Sequence, residues 1–273
     1  MSRKNSKSTT NSAQPGAHAG AHRGTRPASY VRFRLSDRIE HMLLLTSFTI
    51  LGLTGVPQMF ANTGWGITLI QLMGGIEFIR IVHRTAAVVL MLETIYHGGT
   101  VTYKVFVKRV RLTMLPGWKD VVDAFQSLTY NMGFSKQAPK MGRYNYGEKV
   151  EYWAVIWGTL VMVATGFMLW NPIATTNFLA GEVVPVAKAA HGGEALLAVL
   201  SIIIWHMYHV HIKGFNRSMF TGRISRHDME EEHALELEEI EAGIADRPVD
   251  PRSVRRRRLV FLPVAVVISV TLL

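Results

Sequence analysis

Cysteine is absent from the 273-residue chain. Its absence excludes disulfides, iron–sulfur clusters, thiolate metal sites and the covalent attachment of a c-type haem, because each of these needs a cysteine sulfur. Metal chemistry would therefore fall to histidine, of which the chain has 11. Charge is also sparse, since only 18% of the residues are Asp, Glu, Lys or Arg.

Long segments with very few charged residues divide the chain. Four apolar segments of about 20 residues lie at about 41–60, 80–103, 151–170 and 189–212. About 20 helical residues are enough to cross the hydrocarbon core of a bilayer. A fifth segment, LVFLPVAVVISVTLL at 259–273, is shorter and contains Pro263. The sequence thus predicts an all-α integral membrane four-helix bundle with a fifth, C-terminal transmembrane helix.

The basic residues predict the orientation of the chain. Of the 30 Lys and Arg residues, all but Arg80, Arg84 and Lys188 lie before the first segment, between the second and third, or after the fourth. By the positive-inside rule these regions, including the N-terminus, face the cytoplasm, and we expect the chain in the inner (cytoplasmic) membrane. The net charge of +10 is explained by this topology. No nucleic-acid recognition motif is present, and no nucleic-acid partner is expected.

Besides the predicted fifth helix at 259–273, two regions lie outside the predicted transmembrane domain, which spans 34–224. Residues 1–33 are polar and rich in Gly, Ser and Thr, so we expect a disordered cytoplasmic tail whose His18 and His22 bind nothing. Residues 225–258 form an acidic cytoplasmic segment, which is either a solvated helix or a docking site.

The loop between the second and third segments contains an amphipathic stretch. From Trp118 to Tyr130, apolar residues recur at helical spacing, namely Val121, Val122, Phe125 and Leu128. This pattern predicts a helix that lies on the membrane surface or on a partner.

Histidines recur at matched depths in the segments. His83 and His97 are 14 residues apart on the second segment, and His191 and His206 are 15 apart on the fourth. These offsets correspond to about 21 and 22 Å of helix. Because both segments run from outside to inside, His83 and His191 lie near the outer face, whereas His206 lies near the inner face beside His41 and His97. A membrane-buried imidazole is costly and marks a functional site.

Two imidazoles that face each other across a bundle are the axial ligands of a b-type haem, which needs no thioether bond. The spacing therefore predicts two b haems stacked across the bilayer, about 20 Å apart. A non-redox membrane anchor or transporter, whose histidines bind zinc or move protons, is the competing interpretation. Arg84 is a candidate partner for a haem propionate.

Small residues accompany the histidines. Glycines that would admit a porphyrin edge, or that would only pack helices, are Gly52, Gly55, Gly158, Gly166, Gly192 and Gly193. Two carboxylates, Glu93 and Glu194, also lie within the segments. Glu93 shares a helix face with His97, whereas the role of Glu194 stays open.

Three motifs in combination narrow the interpretation. They are RLSDRIEHMLLLTSFTILGLTG, RYNYGEKVEYW and HGGEALLAVLSIIIWHMYHVHIKG. Together they resemble the cytochrome b (gamma) subunit of membrane formate dehydrogenases and its relatives in hydrogenase and thiosulfate reductase complexes, over about residues 34–224. The resemblance implies haem-iron ligation by His83 with His191 and by His41 with His206, and a quinone pocket at Asn145, Gly147 and Glu148.

The chain departs from that family in two places. The 15-residue spacing on the fourth segment is one residue longer than the family's, and His97 is an alternative to His41 as the inner ligand. We expect His41 on the iron, with His97 hydrogen-bonded to Glu93 or to a propionate. His209 and His211 are expected at the interface and not on iron.

The resemblance implies an electron-transfer subunit of a quinone-linked oxidoreductase complex, with menaquinone or ubiquinone as its quinone. The chain has no dehydrogenase or reductase site of its own, so we expect partner redox subunits, either an iron–sulfur protein or a multihaem cytochrome c. A free-standing b-type cytochrome that oxidises a diffusible reductant at the outer face is the alternative.

Overall fold

The structure is a computed structural model that describes residues 27–244 and 250–272, with side chains up to residue 267. His18 and His22 lie outside the described residues. The predicted all-α fold is confirmed, because helices dominate and the described strands are only β1 (Ser29–Val31) and β2 (Arg223–Ser225).

Most of the helices are joined by short connections. The longest loops lie before and after the helix Trp118–Asn131. In chain order they are α1 (Leu35–Met59), α2 (Gly64–Leu72), α3 (Ile76–Phe106), α4 (Trp118–Asn131), α5 (Tyr146–Trp170), α6 (Pro172–Thr176), α7 (Val183–Ser201), α8 (Ser218–Thr221), α9 (Arg226–Glu232), α10 (Ala234–Glu241) and α11 (Pro251–Leu272). Helix α7 continues through two π-helical turns, Ile202–His206 and Tyr208–Ile212.

Three helices are long and apolar enough to cross a membrane: α1, α5, and α7 with its π-helical turns. The predicted second span lies in α3, which has 31 residues and packs along α1. Helix α3 carries more charged side chains than the other three, so its crossing stays a prediction. The predicted fifth span lies within α11, which begins earlier, at Pro251, and touches α3 where Phe261 meets Tyr103.

The bundle has a polar interior and an apolar outer surface. On α1 the buried residues include Glu40, Ser47 and Thr54, seven positions apart on one face. Leu43 and Leu53 on the same helix are exposed. This inverted pattern is what a helix shows when lipid solvates its outside and polar groups pair inside.

A cap, which the positive-inside rule predicts to be cytoplasmic, is built from the two ends of the predicted transmembrane domain. β1 pairs antiparallel with β2, placing Tyr30 opposite Ile224. Met229 of α9 and Leu237 of α10 are buried against Ile224. The predicted disordered tail extended to residue 33, but residues 29–31 form a strand because β2 supplies their hydrogen-bonding partner.

Ion pairs attach the acidic helices to the cap. Glu236 of α10 accepts hydrogen bonds from Arg32 (2.8 Å) and from Arg143 (2.5 Å). The Arg32 side chain is only 2% exposed. The Leu235 amide donates to the Met141 carbonyl at 3.0 Å. Of the two alternatives for the acidic segment, its first part is thus a docking element, and it docks on this chain's own loop.

Helix α4 turns its polar face to the protein. Asp123 and Ser127 are buried, whereas Val121, Phe125 and Leu128 are exposed. Asp120 accepts a hydrogen bond from Lys149 of α5 at 2.7 Å. The helix agrees with the predicted amphipathic stretch, and its apolar face points away from the chain.

Candidate functional site: two histidine pairs in the bundle

The outer pair joins α3 to α7. The ring centroids of His83 and His191 lie 6.4 Å apart, with an angle of 63° between their planes. His83 Nδ1 lies 2.9 Å from Thr54 Oγ1, and His191 Nδ1 lies 2.9 Å from Thr165 Oγ1. Each imidazole is therefore held by a threonine of the neighbouring helix.

The threonine bonds fix the form of each imidazole. Thr54 donates its hydroxyl proton to the Ile50 carbonyl at 2.7 Å, and Thr165 donates to Val161 at 2.6 Å. Because each hydroxyl proton is already used, the hydroxyl oxygen is left to accept a proton from Nδ1. We infer the neutral imidazole form in which Nε2 is free to bind a metal.

Two of the glycines lie against these rings. A Cβ on Gly55 would come within 3.2 Å of His83 Cε1, and one on Gly166 within 3.4 Å of His191 Cε1. Gly52 and Gly192 instead face side chains of other helices. Gly52 and Gly192 thus agree with the helix-packing interpretation, whereas the role of Gly55 and Gly166 beside a porphyrin stays a prediction.

The inner pair joins α1 to α7. The ring centroids of His41 and His206 lie 6.4 Å apart, with 33° between their planes. His206 Nδ1 lies 2.9 Å from Glu151 Oε2. His41 Nδ1 is buried and has no hydrogen-bond partner among the described residues. A buried nitrogen of this kind is costly unless it finds a partner.

His97 occupies a different position from the inner pair. Its Nδ1 lies 2.7 Å from Glu40 Oε2 and its Nε2 lies 3.1 Å from the Tyr152 hydroxyl. Both ring nitrogens are thus occupied by protein groups. The structure brings together His41 and His206, as the resemblance implied. The expected bond from His97 to Glu93 is instead made to Glu40.

A π-helical turn accounts for the longer spacing on the fourth segment. The turn Ile202–His206 lies between His191 and His206 and ends at His206. A single π-helical turn accommodates one residue more than an α-helix over the same rise. The 15-residue offset from His191 therefore acts like the 14-residue offset of the uninterrupted α3.

The two halves of the bundle repeat one pattern. Glu40 and Thr54 of α1 are 14 residues apart, as are Glu151 and Thr165 of α5, and each threonine precedes a glycine. Each glutamate and threonine contacts a histidine of the next long helix. These histidine partners were not predicted, although the repeated Glu and Thr-Gly offsets were a signal that could have found them.

The repeat is broken at the inner level. His41 follows Glu40 in the chain, whereas Tyr152 follows Glu151. His41 faces His206, and at the equivalent place Tyr152 faces His97 with ring centroids 5.8 Å apart. A bis-histidine arrangement therefore exists on only one side of the inner level.

The predicted quinone residues begin α5. The Asn145 side chain accepts from the Glu148 amide, and Glu148 accepts from the Asn145 amide, each at 2.8 Å. A Cβ on Gly147 would lie 3.6 Å from Trp205 Cζ2, next to His206. Arg32 lies 3.4 Å from Glu148. The structure gives Asn145 and Glu148 a helix-capping role and places Gly147 close to α7.

Other predicted residues lie around the pairs. The Arg84 guanidinium stacks over the Trp170 ring at 5.2 Å. Glu194 packs closely on Gly158, because a Cβ added to Gly158 would lie 2.6 Å from Glu194 Oε1. His209 bonds the Trp205 carbonyl at 2.8 Å, and His211 packs on Phe215.

Both pairs fit a shared metal ion. An imidazole nitrogen binds a transition metal at about 2 Å, so two rings on one ion place their centroids roughly 6 Å apart. Both observed separations are 6.4 Å. A cavity of about 430 Å³ lies between α3 and α5, lined by Val88, Met91, Phe167, Trp170 and Asn171. Its lining includes Phe167, the residue after Gly166, and neither histidine of the outer pair.

Curated relatives match most of the chain. The cytochrome b556(Fdn) subunit of the nitrate-inducible formate dehydrogenase of Escherichia coli (strain K12) is 25% identical over 218 residues, which are 80% of this chain and 94% of the relative. The cytochrome b556(fdo) subunit of the same organism is 23% identical, covering 73% and 88%. The formate dehydrogenase cytochrome b556 subunit of Haemophilus influenzae is 22% identical, covering 71% and 76%. No protein-family model matches the chain.

Proposed function

Because the chain is a homologue of formate dehydrogenase cytochrome b556 subunits, as its motifs predicted, we propose that it is a di-haem b-type cytochrome subunit. It transfers electrons across the inner membrane between a partner redox subunit and the quinone pool. The two histidine pairs carry the proposal, because the ring centroids lie 6.4 Å apart in each.

At the outer site, His83 and His191 hold one haem b. Their Nε2 atoms would bind the iron, because Thr54 and Thr165 engage both Nδ1 atoms. Gly55 and Gly166 leave room for the imidazole rings, and Arg84 is close enough in sequence to His83 to pair with a propionate. When bound, haem b takes up and releases single electrons at its iron.

At the inner site, His41 and His206 hold the second haem b. Glu151 orients His206 by a charge-assisted hydrogen bond, which increases the basicity of the ligand. His41 has no such partner among the described residues. The two inner histidines therefore differ in basicity as ligands, whereas each outer histidine has the same kind of partner, a threonine.

The quinone site lies at the start of α5, at Asn145, Gly147 and Glu148. Gly147 supports this placement because it approaches Trp205, the neighbour of His206. Glu148, beside Arg32 and His233, connects the site to the cytoplasmic cap. Ionisable groups of this kind exchange protons when a quinone is reduced.

The partner supplies or receives electrons at the outer face. The relatives are named as subunits of formate dehydrogenase, which supports a subunit role over a free-standing cytochrome. The positive-inside rule supports an N-terminus on the cytoplasmic side. The partner is an iron–sulfur or multihaem cytochrome c protein.

The reduction of the haems by a quinol tests this function. We expect menadiol to reduce the purified, oxidised protein, as followed at the α-band of haem b. Gly147→Leu fills the space between Asn145 and Trp205, so reduction by quinol should slow at least tenfold while dithionite still reduces all the haem. Gly142→Leu is the matched control, because a Cβ at Gly142 meets nothing within 4 Å.

Wild-type protein that menadiol cannot reduce would contradict the quinone link. An equal loss of rate in Gly147→Leu and Gly142→Leu would contradict the placement of the quinone at the start of α5.

A further inference from the structure

Three ionisable side chains that belong to neither histidine pair converge between α1 and α3. Glu40, Glu93 and His97 each offer one ligand atom, and these atoms all lie within 4.8 Å of one another. Glu40 belongs to α1, and the other two belong to α3. None of the three is assigned a ligand role by the proposed haem sites.

Among the described residues, only His97 forms an ion pair with a carboxylate of this cluster, and it does so only when protonated. Glu40 is 7% exposed, and its Oε1 is buried without a hydrogen-bond partner among the described residues. Within the described part of the chain, no Lys or Arg forms an ion pair with Glu40 or Glu93. Two carboxylates so close together within a membrane protein are costly unless a cation or protons neutralise them.

We propose that Glu40, Glu93 and His97 form a binding site for a divalent first-row transition-metal cation of the Zn²⁺ type. Carboxylate oxygen and imidazole nitrogen are established ligands of such ions. A charge of +2 balances the two carboxylates and leaves the neutral imidazole as the third ligand. The unpartnered Glu40 oxygen gains a ligand role in this arrangement.

The geometry around His97 suits metal binding. Its Nδ1 faces Glu40 at 2.7 Å, while its Nε2 lies 3.1 Å from the Tyr152 hydroxyl. On metal binding, Nδ1 would exchange its hydrogen bond to Glu40 for a bond to the ion, while Nε2 stays oriented by Tyr152, as in protein metal sites generally. Metal bonds of about 2 Å hold tetrahedral ligand atoms roughly 3.3 Å apart, so only small movements are needed.

A bound ion would join α1 to α3 directly beside His41. It connects the helix of the inner histidine to the helix of the outer one. The site is independent of haem, since it uses none of the four paired histidines.

Zinc binding by the full-length purified protein in detergent tests the proposal. Every sample carries His227→Ala, because His227 is exposed beside Asp228 and Glu231 and could bind zinc by itself. The parent protein is the one that carries His227→Ala alone. After equilibrium dialysis against Zn²⁺, metal analysis should show one zinc more per chain in the parent than after the further change Glu93→Gln or His97→Gln. The affinity of that zinc should fall at least tenfold in both variants.

Two further variants make the result specific. Glu194→Gln removes a carboxylate of the transmembrane domain outside the cluster and should leave zinc binding unchanged. Glu93→His replaces a carboxylate ligand by an imidazole ligand and should bind zinc as the parent does. Equal zinc content in the parent and both Glu93→Gln and His97→Gln would overturn the proposal, as would an equal loss in Glu194→Gln. Pyridine haemochrome analysis of each sample reports folding and haem content separately, so failure of the haem proposal is distinguishable.

Discussion

Hydroxyl groups orient the outer histidines, whereas a carboxylate orients one inner histidine. Thr54 and Thr165 each use their proton on a backbone carbonyl and accept from an imidazole. Glu151 accepts from His206 as an anion. A carboxylate makes an imidazole ligand more basic than a hydroxyl does, so the inner site should favour oxidised iron more strongly.

Thr54→Val should weaken haem binding at the outer site. Valine keeps the shape of threonine but leaves His83 Nδ1 without its acceptor, which costs about 1–3 kcal/mol. We expect the affinity for the outer haem to fall about 10-fold or more, as measured by haem titration of the stripped protein. Thr85→Val is the matched control, since Thr85 bonds only its own helix at Ile81. Unchanged affinity in Thr54→Val would show that the hydroxyl does not support the ligand.

At this scale, the sequence predicted which histidines meet but not what holds them. The spacing of His83, His191 and His206 along helices sets their depths, and depth pairs His83 with His191. At the inner level depth left both His41 and His97 beside His206, and the family resemblance favoured His41. The bond from Thr54 to His83 depends on how two helices rotate against each other, which periodicity along one helix does not determine. The bond from His97 to Glu40, which replaces the expected bond to Glu93, depends on the same rotation.

Among the helices, α7 differs from the others in its two π-helical turns. The first one ends at His206 and absorbs one residue relative to an α-helix. π-Helical turns of this kind are frequent at functional sites. The feature explains how His206 faces His41 despite the longer spacing.

Deleting Ile203 should be tolerated better than a deletion in a regular helix. The chain between His191 and His206 would then have the 14-residue offset that a plain α-helix accommodates, and Ile203 is an exposed side chain. We expect both haems to remain by pyridine haemochrome analysis. Deleting Met162 in α5 shifts Glu151 by about 100° relative to Thr165 and should lose haem. Loss of haem in the Ile203 deletion, with retention in the Met162 deletion, would refute the role of the π-helical turn.

Two other elements show what patterning can and cannot reveal. The apolar face of α4 was predictable, because Val121, Val122, Phe125 and Leu128 recur at helical spacing. The docking of α10 was not, because it rests on contacts of Glu236 with Arg32 and Arg143, which are distant in the sequence. Long-range ion pairs leave no periodic signal.

Across the whole molecule, the cap connects β1, the loop before α5 and the acidic helices. His233 lies at its centre, where its Nδ1 donates to the Gly142 carbonyl at 2.9 Å and its Nε2 accepts from the Arg32 guanidinium at 3.2 Å. Burial, together with the nearby Arg32 charge, lowers the pKa of His233 from 6.5 to about 4. The cap therefore holds this imidazole in its neutral form.

The cap should lose stability as the pH falls from 6.5 to 4. In that window the unfolded segment binds a proton at His233 and the folded cap does not, so acid favours the unfolded segment. The loss should be at most roughly 3 kcal/mol. Hydrogen exchange of the α10 amides measures it, and His233→Gln, which cannot titrate, should remove this part of the pH dependence. An identical pH dependence in both proteins would contradict the assignment to His233.

Haem stoichiometry in histidine variants tests the central claim most directly. Pyridine haemochrome analysis of the purified protein should give two b haems per chain in the wild type and in His97→Ala, and one in His41→Ala, His83→Ala, His191→Ala and His206→Ala. The account predicts this because His41 faces His206, whereas His97 has both nitrogens occupied by Glu40 and Tyr152. A wild type without haem b, or a chain that loses one haem in His97→Ala and keeps two in His41→Ala, would contradict it.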